Sequence, residues 1–169
     1  DGNYRNDFGV FGSYRRRLNA DNQLSFGVEY RRRNYPNGPE RARTRDTFEF
    51  NPGWSVDLFG GKGSFSLTGA LGHENALQGR ADGDANFFGL SPTLAYTFTD
   101  TLGGFAFFWW QQERFSTARA NLDPNGSPLG FGKRRDNLYE VGGGLTWEFA
   151  PTWTLNPEVL YIRDESNFL

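Results

Sequence analysis

The fold of this chain is decided by one stretch near its C-terminal end, which reads Tyr139-Glu140-Val141-Gly142-Gly143-Gly144-Leu145-Thr146-Trp147-Glu148-Phe149. Apart from Gly143, large apolar residues occupy every second position, and Glu, Gly or Thr fill the positions between them. A period of two over ten or more residues is typical of a β-strand with two unlike faces. The same alternation predicts eight strands, at residues 4–18, 23–34, 44–59, 64–77, 86–98, 102–116, 136–149 and 153–164.

The connections between these strands are alternately short and long. Residues 19–22, 60–63, 99–101 and 150–152 are short turns, whereas residues 35–43, 78–85 and 117–135 are longer and rich in Gly, Pro, Asn and Arg. In outer-membrane barrels short turns face the periplasm and long loops face outside. The pattern therefore predicts an antiparallel up-and-down transmembrane β-barrel, with about eight strands in this chain. The first strand would run inward and both chain ends would lie in outer loops, so we expect residues 1–169 to be a single barrel domain and a fragment of a larger barrel.

Composition excludes several other classes of protein. The 169 residues have a mean hydropathy of −0.67, and no run approaches the roughly 20 apolar residues of a transmembrane helix. Barrel strands need no such run, because only alternate residues meet lipid. The absence of Cys excludes disulfides and thiolate metal sites, and the net charge of −2 predicts no binding to nucleic acid. We expect no metal site and no cofactor.

The volume of the side chains indicates which face points outward. An eight-stranded barrel has an interior just wide enough for side chains to fill. One face carries residues such as Phe26, Trp54 and Leu94, and a full set of them would overfill that interior. The other face is small or polar and would fit inside. We therefore expect the bulky face to touch lipid. The alternative is a soluble lipocalin-like binding barrel, in which the same bulky residues face inward.

Aromatic residues and prolines add two further expectations. Aromatic side chains close to the short turns are predicted to form a periplasmic girdle: Tyr14, Phe59, Phe65, Phe98, Phe149 and Trp153. Pro52, Pro92 and Pro157 fall inside predicted strands, where proline cannot donate to the hydrogen-bond ladder. Bulges or locally broken pairing are expected at these three positions.

Charged residues of both signs lie on the small, inward face. The predicted lumen-lining residues are Arg15, Arg17, Glu29, Arg31, Arg33, Glu49, Asp57, Glu140, Glu148 and Glu158, and Asp7 and Glu74 share their face. Charges held out of bulk solvent need pairing or water, so ladders of Arg and carboxylate are expected across the lumen. Such residues either hold the barrel together or line a passage for an ion, a sugar or a polypeptide.

A second group of arginines is predicted to meet lipid head groups. Arg32 shares the parity of the bulky face and lies near the outer end of its strand. Arg41, Arg43 and Arg45 belong to the first long loop or its border. Guanidinium groups bind phosphate in a bidentate manner, which suits the outer leaflet. Ordinary solvated loop charge is the alternative interpretation.

No catalytic constellation is evident. His73 is the only histidine, and its His-Glu-Asn context matches no hydrolase motif. We expect an interfacial histidine without a catalytic duty, and no enzyme. The alternative is an outer-membrane enzyme that acts on outer-leaflet lipid through His73 and a nearby Ser or acid.

The last third of the chain resembles a known family. The segments Arg134-Arg135-Asp136-Asn137-Leu138-Tyr139 and Gly142-Gly143-Gly144-Leu145-Thr146-Trp147 precede a Pro-containing strand that begins at Asn156-Pro157-Glu158 and ends at Ser166-Asn167. This order is similar to the final barrel strands of surface lipoprotein assembly modifiers, in which a periplasmic tetratricopeptide domain precedes the barrel. The resemblance implies export or passage across the cell outer membrane. It also implies contact with the bilayer and its outer-leaflet lipid, and with further barrel strands or a periplasmic domain.

Overall fold

The described part of the chain is a single antiparallel sheet. The computed structural model describes residues 5–36, 43–123 and 125–168, in which there is no α-helix. Its nine strands are β1 (Asn6–Arg17), β2 (Asn22–Asn34), β3 (Arg45–Leu58), β4 (Gly63–Ala76), β5 (Ala85–Thr99), β6 (Leu102–Leu122), β7 (Pro128–Ala150), β8 (Trp153–Leu155) and β9 (Glu158–Ser166). No helical segment in these residues has the length and apolar character needed to cross a membrane.

The topology is up-and-down, as the sequence predicts. Each strand from β1 to β7 pairs with its neighbours in sequence, and β8 and β9 both pair with β7 as two halves of the predicted last strand. The short turns lie together at one end of the sheet, here called the turn end, and the longer connections lie at the loop end. Among the described residues, β1 and β9 each pair on one side only, so the sheet is not closed.

The three prolines interrupt pairing without changing the register. Between β3 and β4 the pairs stop at Phe50 and resume at Gly53, on either side of Pro52. Between β5 and β6 they stop at Leu90 and resume at Thr93, on either side of Pro92. Pro157 lies in the gap between β8 and β9. The expected local breaks are confirmed at all three positions, because proline has no N–H to donate.

The prediction of a long loop at residues 117–135 is wrong. β6 and β7 continue through most of this segment as a paired hairpin, which reaches Leu122 on one side and Pro128 on the other. The register shifts between Arg114 and Ala118, where a bulge accommodates extra residues of β6. At the tip, the carboxylate of Asp123 accepts the N–H groups of Asn125 and Ser127 and fixes a tight turn. Several of the residues that indicated a loop, Asn121, Pro128, Gly130 and Gly132, thus lie within paired strands.

The register sorts the side chains onto two unlike faces. Leu24, Trp54 and Leu67 are paired across β2, β3 and β4, and they define what we call the apolar face. Ser25, Gly53, Thr68 and Ser91 define the opposite, polar face in the same way. All of the bulky and small residues named above for either face follow this division. On the polar face large rings also cover glycines of the next strand, and a Cβ on Gly72 would overlap the ring of Phe87.

Burial is inverted relative to a soluble protein. On β4 the apolar Leu71 is 52% exposed, whereas Glu74 on the other face is only 5% exposed. No large side chain among the described residues is fully buried. The accessible surface is 11482 Å², whereas a compact soluble monomer of this mass exposes roughly 8,400 Å². The described residues therefore form a single layer, in which only Ala70, Ala85, Phe115 and Phe168 are buried apolar residues.

Candidate functional site

The polar face carries two adjoining cavities near the loop end. One, of about 190 Å³, is lined by Arg31, Arg33, Arg45, Thr47, Glu74, Phe87, Gln111 and Glu113. The other, of about 140 Å³, is lined by Gln111, Glu113, Asp136, Leu138 and Asp164. Arginines from β2 and β3 lie at one side of this region, and carboxylates from β6, β7 and β9 lie at the other. Glu113 lies between them, since it lines both cavities.

Glu74 anchors the more basic side. Arg45 holds its carboxylate in a bidentate manner, with Nε–Oε2 and Nη1–Oε1 distances of 3.0 and 3.2 Å. Arg80, from the β4–β5 connection, forms a second ion pair with the same carboxylate and donates from Nε to the carbonyl of Gly83 at 2.9 Å. A carboxylate this deeply buried requires such compensation. Through their shared contact with Glu74, Arg80 of the β4–β5 connection is held against Arg45 of β3.

A sandwiched aromatic ring links this anchor to β7. The guanidinium groups of Arg80 and Arg134 lie 5.1 and 4.9 Å from the centre of the buried Phe115 ring. Arg134 also binds Asp136 through both carboxylate oxygens, at 2.9 and 2.6 Å. Its Nη1 lies 3.3 Å from Asp82, which pairs in addition with Arg119. Cation–π contacts to a buried ring and shared carboxylates thus join β4, the β4–β5 connection, β6 and β7 at the loop end.

Glu113, like Asp164, has no arginine within ion-pair distance among the described residues. It lies directly opposite Asp136 in the β6–β7 register. Burial, followed by the negative charge of Glu74, raises the pKa of Glu113 to about 7, although Arg80 and Arg45 act in the opposite direction. Asp136 adds a smaller effect that also raises this pKa. Near neutral pH Glu113 can therefore gain or lose a proton at the wall of the two cavities.

The apolar face is a band of limited height. On β5 its apolar residues run from Phe88 to Phe98, and on β6 they end at Trp110, so that Glu113 lies beyond the band. Ten residue steps at a rise of about 3.3 Å and a tilt of about 40° give a band about 25 Å tall. The apolar zone on transmembrane barrels has this height. Within the band, Val10, Val28, Phe48, Phe50 and Leu71 outline an open apolar depression of about 790 Å³.

A continuous row of polar residues borders this band at the loop end. On the apolar face the row contains Arg32, Asp46, Asn75, His73, Asn86, Arg114, Gln112, Arg135, Asn137, Arg163 and Glu165, and we call it the outer collar. Arg32 pairs with Asp46 at 3.1 Å, and the hydroxyl of Tyr30 donates to the same carboxylate at 3.0 Å. The abrupt change from rings to amides and charges fits the boundary between hydrocarbon and head groups.

His73 belongs to this collar. Its Nδ1 lies 2.8 Å from the amide oxygen of Asn86, and its Nε2 lies 2.9 Å from that of Asn75. Ser64 and Ser66 are on the polar face at the turn end of the same strand, and they are therefore far from the imidazole ring. No group of three or more acidic or imidazole side chains in the described ranges is arranged to hold a metal ion.

The turn end of the apolar face is rich in aromatic contacts. Phe59 meets Tyr96 at 5.7 Å between ring centres, and Tyr96 meets Phe98 at 5.2 Å. Phe149 contacts Trp147 at 5.6 Å and Trp153 at 6.4 Å. These contacts form two separate aromatic groups, and Phe65 contacts Trp54 in a third place, at 5.9 Å between ring centres. Membrane contact by these residues stays a prediction.

The lumen-lining residues named from the sequence all share the polar face, and some of them are paired. Arg31 pairs with Glu29, and Arg33 lies 3.6 Å from Asp7. Within the described residues, no ion pair involves the others: Arg15, Arg17, Glu49, Asp57, Glu140, Glu148 and Glu158. The expected ladder of alternating charges is therefore restricted to the loop half of the face.

The arginines predicted to contact lipid head groups do not all lie on one face of the sheet. Arg32 is on the apolar face within the outer collar, as its parity indicates. Arg45 is on the polar face instead, because it pairs in register with Arg33 and binds Glu74, and it is therefore turned away from the apolar face. Arg43 lies just before β3, at the loop end. Arg41 lies outside the described residues.

Sequence reasoning missed the residues that build the packed cluster at the loop end. Arg80, Asp82, Arg119 and Arg134 all fall in segments whose composition indicates loops. Their partners come from other strands and connections, at separations that no local motif reveals. The one available signal was the charged sequence Arg80-Ala81-Asp82-Gly83-Asp84.

Comparisons with known proteins add no assignment. The chain matches no protein-family profile, no curated protein and no solved structure.

Proposed function

We propose that this chain is part of an outer-membrane β-barrel whose polar face lines a conduit for export or passage across the membrane. The observation that carries this proposal is the exposed apolar band on one face of the sheet, together with the burial of Glu74 on the opposite, polar face. In water such a band would exceed the largest apolar patch of typical monomers. Lipid around the band removes that cost.

Barrel formation requires that the free edges of β1 and β9 become paired. The two strands run in opposite directions, since an even number of traversals separates them. Direct pairing would therefore be antiparallel, like every other pair in the sheet. Further strands between the two edges would produce a wider barrel, as the resemblance to lipoprotein assembly modifiers implies. Native mass spectrometry of the chain in detergent distinguishes a self-closed monomer from an assembly with additional strands.

Lipid exposure can be tested residue by residue because the chain has no cysteine. Single Cys variants along β4, from Ser66 to Leu71, would be reconstituted in phosphatidylcholine vesicles. A water-soluble maleimide is expected to label Ser66→Cys and Thr68→Cys on the polar face, while Leu67→Cys and Leu71→Cys on the apolar face stay protected. Uniform labelling of both faces would refute membrane insertion.

The conduit itself is tested by conductance across a planar bilayer. On the polar face carboxylates outnumber arginines, so cations are expected to permeate more readily than anions. A folded, inserted chain that gives no current would contradict an open conduit without affecting membrane insertion. The competing proposal of a lipid-modifying enzyme gains no support from the position of His73, and we do not extend it.

A further inference from the structure

We propose that Arg114 and Arg135 form a clamp for the phosphate monoester of a lipid head group at the outer border of the apolar band. This inference rests on the membrane location proposed above. It concerns the apolar face rather than the conduit, and it involves none of the arginines that the sequence associates with head groups.

The first observation is an uncompensated like-charge pair. Arg114 on β6 and Arg135 on β7 are direct partners in the register and both lie on the apolar face. Cross-strand partners have Cβ atoms about 5 Å apart, and like charges at that distance repel. Neither guanidinium forms an ion pair within the described part of the chain. A dianionic phosphate between them would turn this repulsion into two charge-assisted contacts.

The second observation is that Arg114 is already oriented. Its Nε donates to the side-chain oxygen of Gln112 at 2.6 Å, and its guanidinium lies 5.5 Å from the centre of the Phe88 ring. Gln112 is itself fixed by a hydrogen bond to Asn137 at 2.8 Å. A side chain held in this way loses little conformational freedom when a ligand binds, so more of the interaction energy remains as affinity.

The third observation concerns the other arginines of the outer collar, which already have acidic partners. Arg32 pairs with Asp46 at 3.1 Å, and Arg163 pairs with Glu165. Around the proposed clamp the nearest additional charge along β7 is positive, because alternation places the exposed Lys133 on the same face as Arg135. Charge complementarity therefore selects this position of the collar for an anion.

The surface beside the clamp selects a lipid over a free ion. Phe88 and Trp110 pack edge to face at 5.0 Å immediately below Arg114, inside the apolar band. A phosphate bound at the clamp thus lies between the two guanidinium groups, and an acyl chain attached to it would extend along the rings of Phe88 and Trp110. Only an amphiphile with a phosphorylated head group uses both parts of this surface.

The test is a titration of the detergent-solubilised chain, monitored by calorimetry. Three probes would be used: dihexanoyl phosphatidic acid, dihexanoyl phosphatidylcholine and inorganic phosphate. We expect the phosphatidic acid to bind most tightly. Arg114→Gln and Arg135→Gln should each weaken its binding about fivefold, and the double variant about 30-fold. Arg32→Gln is the matched control, because that guanidinium is already neutralised, and its affinity should equal that of the wild type.

Each remaining outcome would overturn the inference. Equal binding of inorganic phosphate would identify a site for free anions, and equal binding of phosphatidylcholine would exclude recognition of charge. An unchanged affinity in a double variant that keeps its β-sheet circular dichroism would exclude these two arginines. Flotation with vesicles of phosphatidylcholine alone tests the proposed membrane location separately, since insertion there does not depend on a phosphate monoester.

Discussion

The position of Leu94 provides the sharpest test of which face meets lipid. Leu94 is on the apolar face of β5, six residues from Phe88 and four from Phe98, and therefore near the middle of the apolar band. Leu90 is on the same face of the same strand, only two residues from the loop-end border. The two side chains are similarly exposed, at 49% and 43%. Leu94→Arg and Leu90→Arg thus differ mainly in depth.

The expected costs differ because an arginine at the bilayer midplane cannot reach water. Measured costs for Arg on the lipid face of barrels are about 2–4 kcal/mol at the midplane and about 0–1 kcal/mol near the interface. From Leu90 the border is about 7 Å away along the strand, within reach of an extended guanidinium. We therefore expect Leu94→Arg to lower the free energy of unfolding by about 3 kcal/mol and Leu90→Arg by about 1 kcal/mol. For a soluble sheet, both exposed positions would change by less than about 0.5 kcal/mol.

The assay is reversible urea unfolding in phosphatidylcholine vesicles, followed by tryptophan fluorescence. Vesicle flotation before each experiment ensures that only inserted protein is compared. Equal costs for the two variants, or a cost below about 1 kcal/mol for Leu94→Arg, would refute the assignment of the apolar face to lipid.

Three further changes test the polar face. In the wild type, lowering the pH through the raised pKa of about 7 protonates Glu113 and removes a negative charge, so cation conductance should fall in a step near pH 7. Glu113→Gln should abolish this step. Single-channel recordings from pH 5 to 9 that show an undiminished step in the variant would contradict the reasoning. The same raised pKa means that ionisation of Glu113 costs stability above about pH 7, and that this cost disappears as the pH falls towards 4.5. Glu74→Gln should cost about 3 kcal/mol in urea unfolding because two arginines lose a buried carboxylate, whereas the exposed pair at Glu29 should make Glu29→Gln cost less than about 1 kcal/mol; equal costs would contradict the network. Gly72→Ala should cost about 1–3 kcal/mol through overlap with a neighbouring ring, while Gly130→Ala, which has open space around it, should change the unfolding midpoint very little.

The sequence predicts the strands and their faces well because both depend on local alternation. In β3 the polar Glu49 lies between Phe48 and Phe50, and any extended conformation must place Glu49 on the face opposite the two rings. The interruptions of pairing at Pro52 and Pro92 can also be predicted locally, because each follows from the missing N–H of a single residue. The class of sheet and the composition of each face therefore follow from the sequence without knowledge of distant contacts.

The loop-end cluster could not be predicted in this way. The environment of Asp82 depends on Arg119 and Arg134, which belong to a hairpin more than thirty residues further along the chain. Residues 117–135 look like a loop because glycine and proline weaken strand propensity. Pairing between β6 and β7 overrides that propensity, since the two strands are already paired up to Arg114 and Arg135 and resume pairing at Ala118 and Lys133 after a bulge. Arg45 was misplaced because it was assigned to the first long loop, whereas it is the first residue of β3 and alternation from Glu49 places it on the polar face.

The restriction of pairing to neighbours in sequence has a consequence for the order of assembly. Strands β1 to β7 pair with their neighbours in sequence, so the entropy lost in forming each hairpin is small and nearly independent of the other hairpins. The sheet can therefore grow from any hairpin by adding the next strand in turn. Only the outer edges of β1 and β9 must find a partner across the whole length of the chain or outside it. For the proposed barrel, the kinetic barrier to closure is thus concentrated in that single late event.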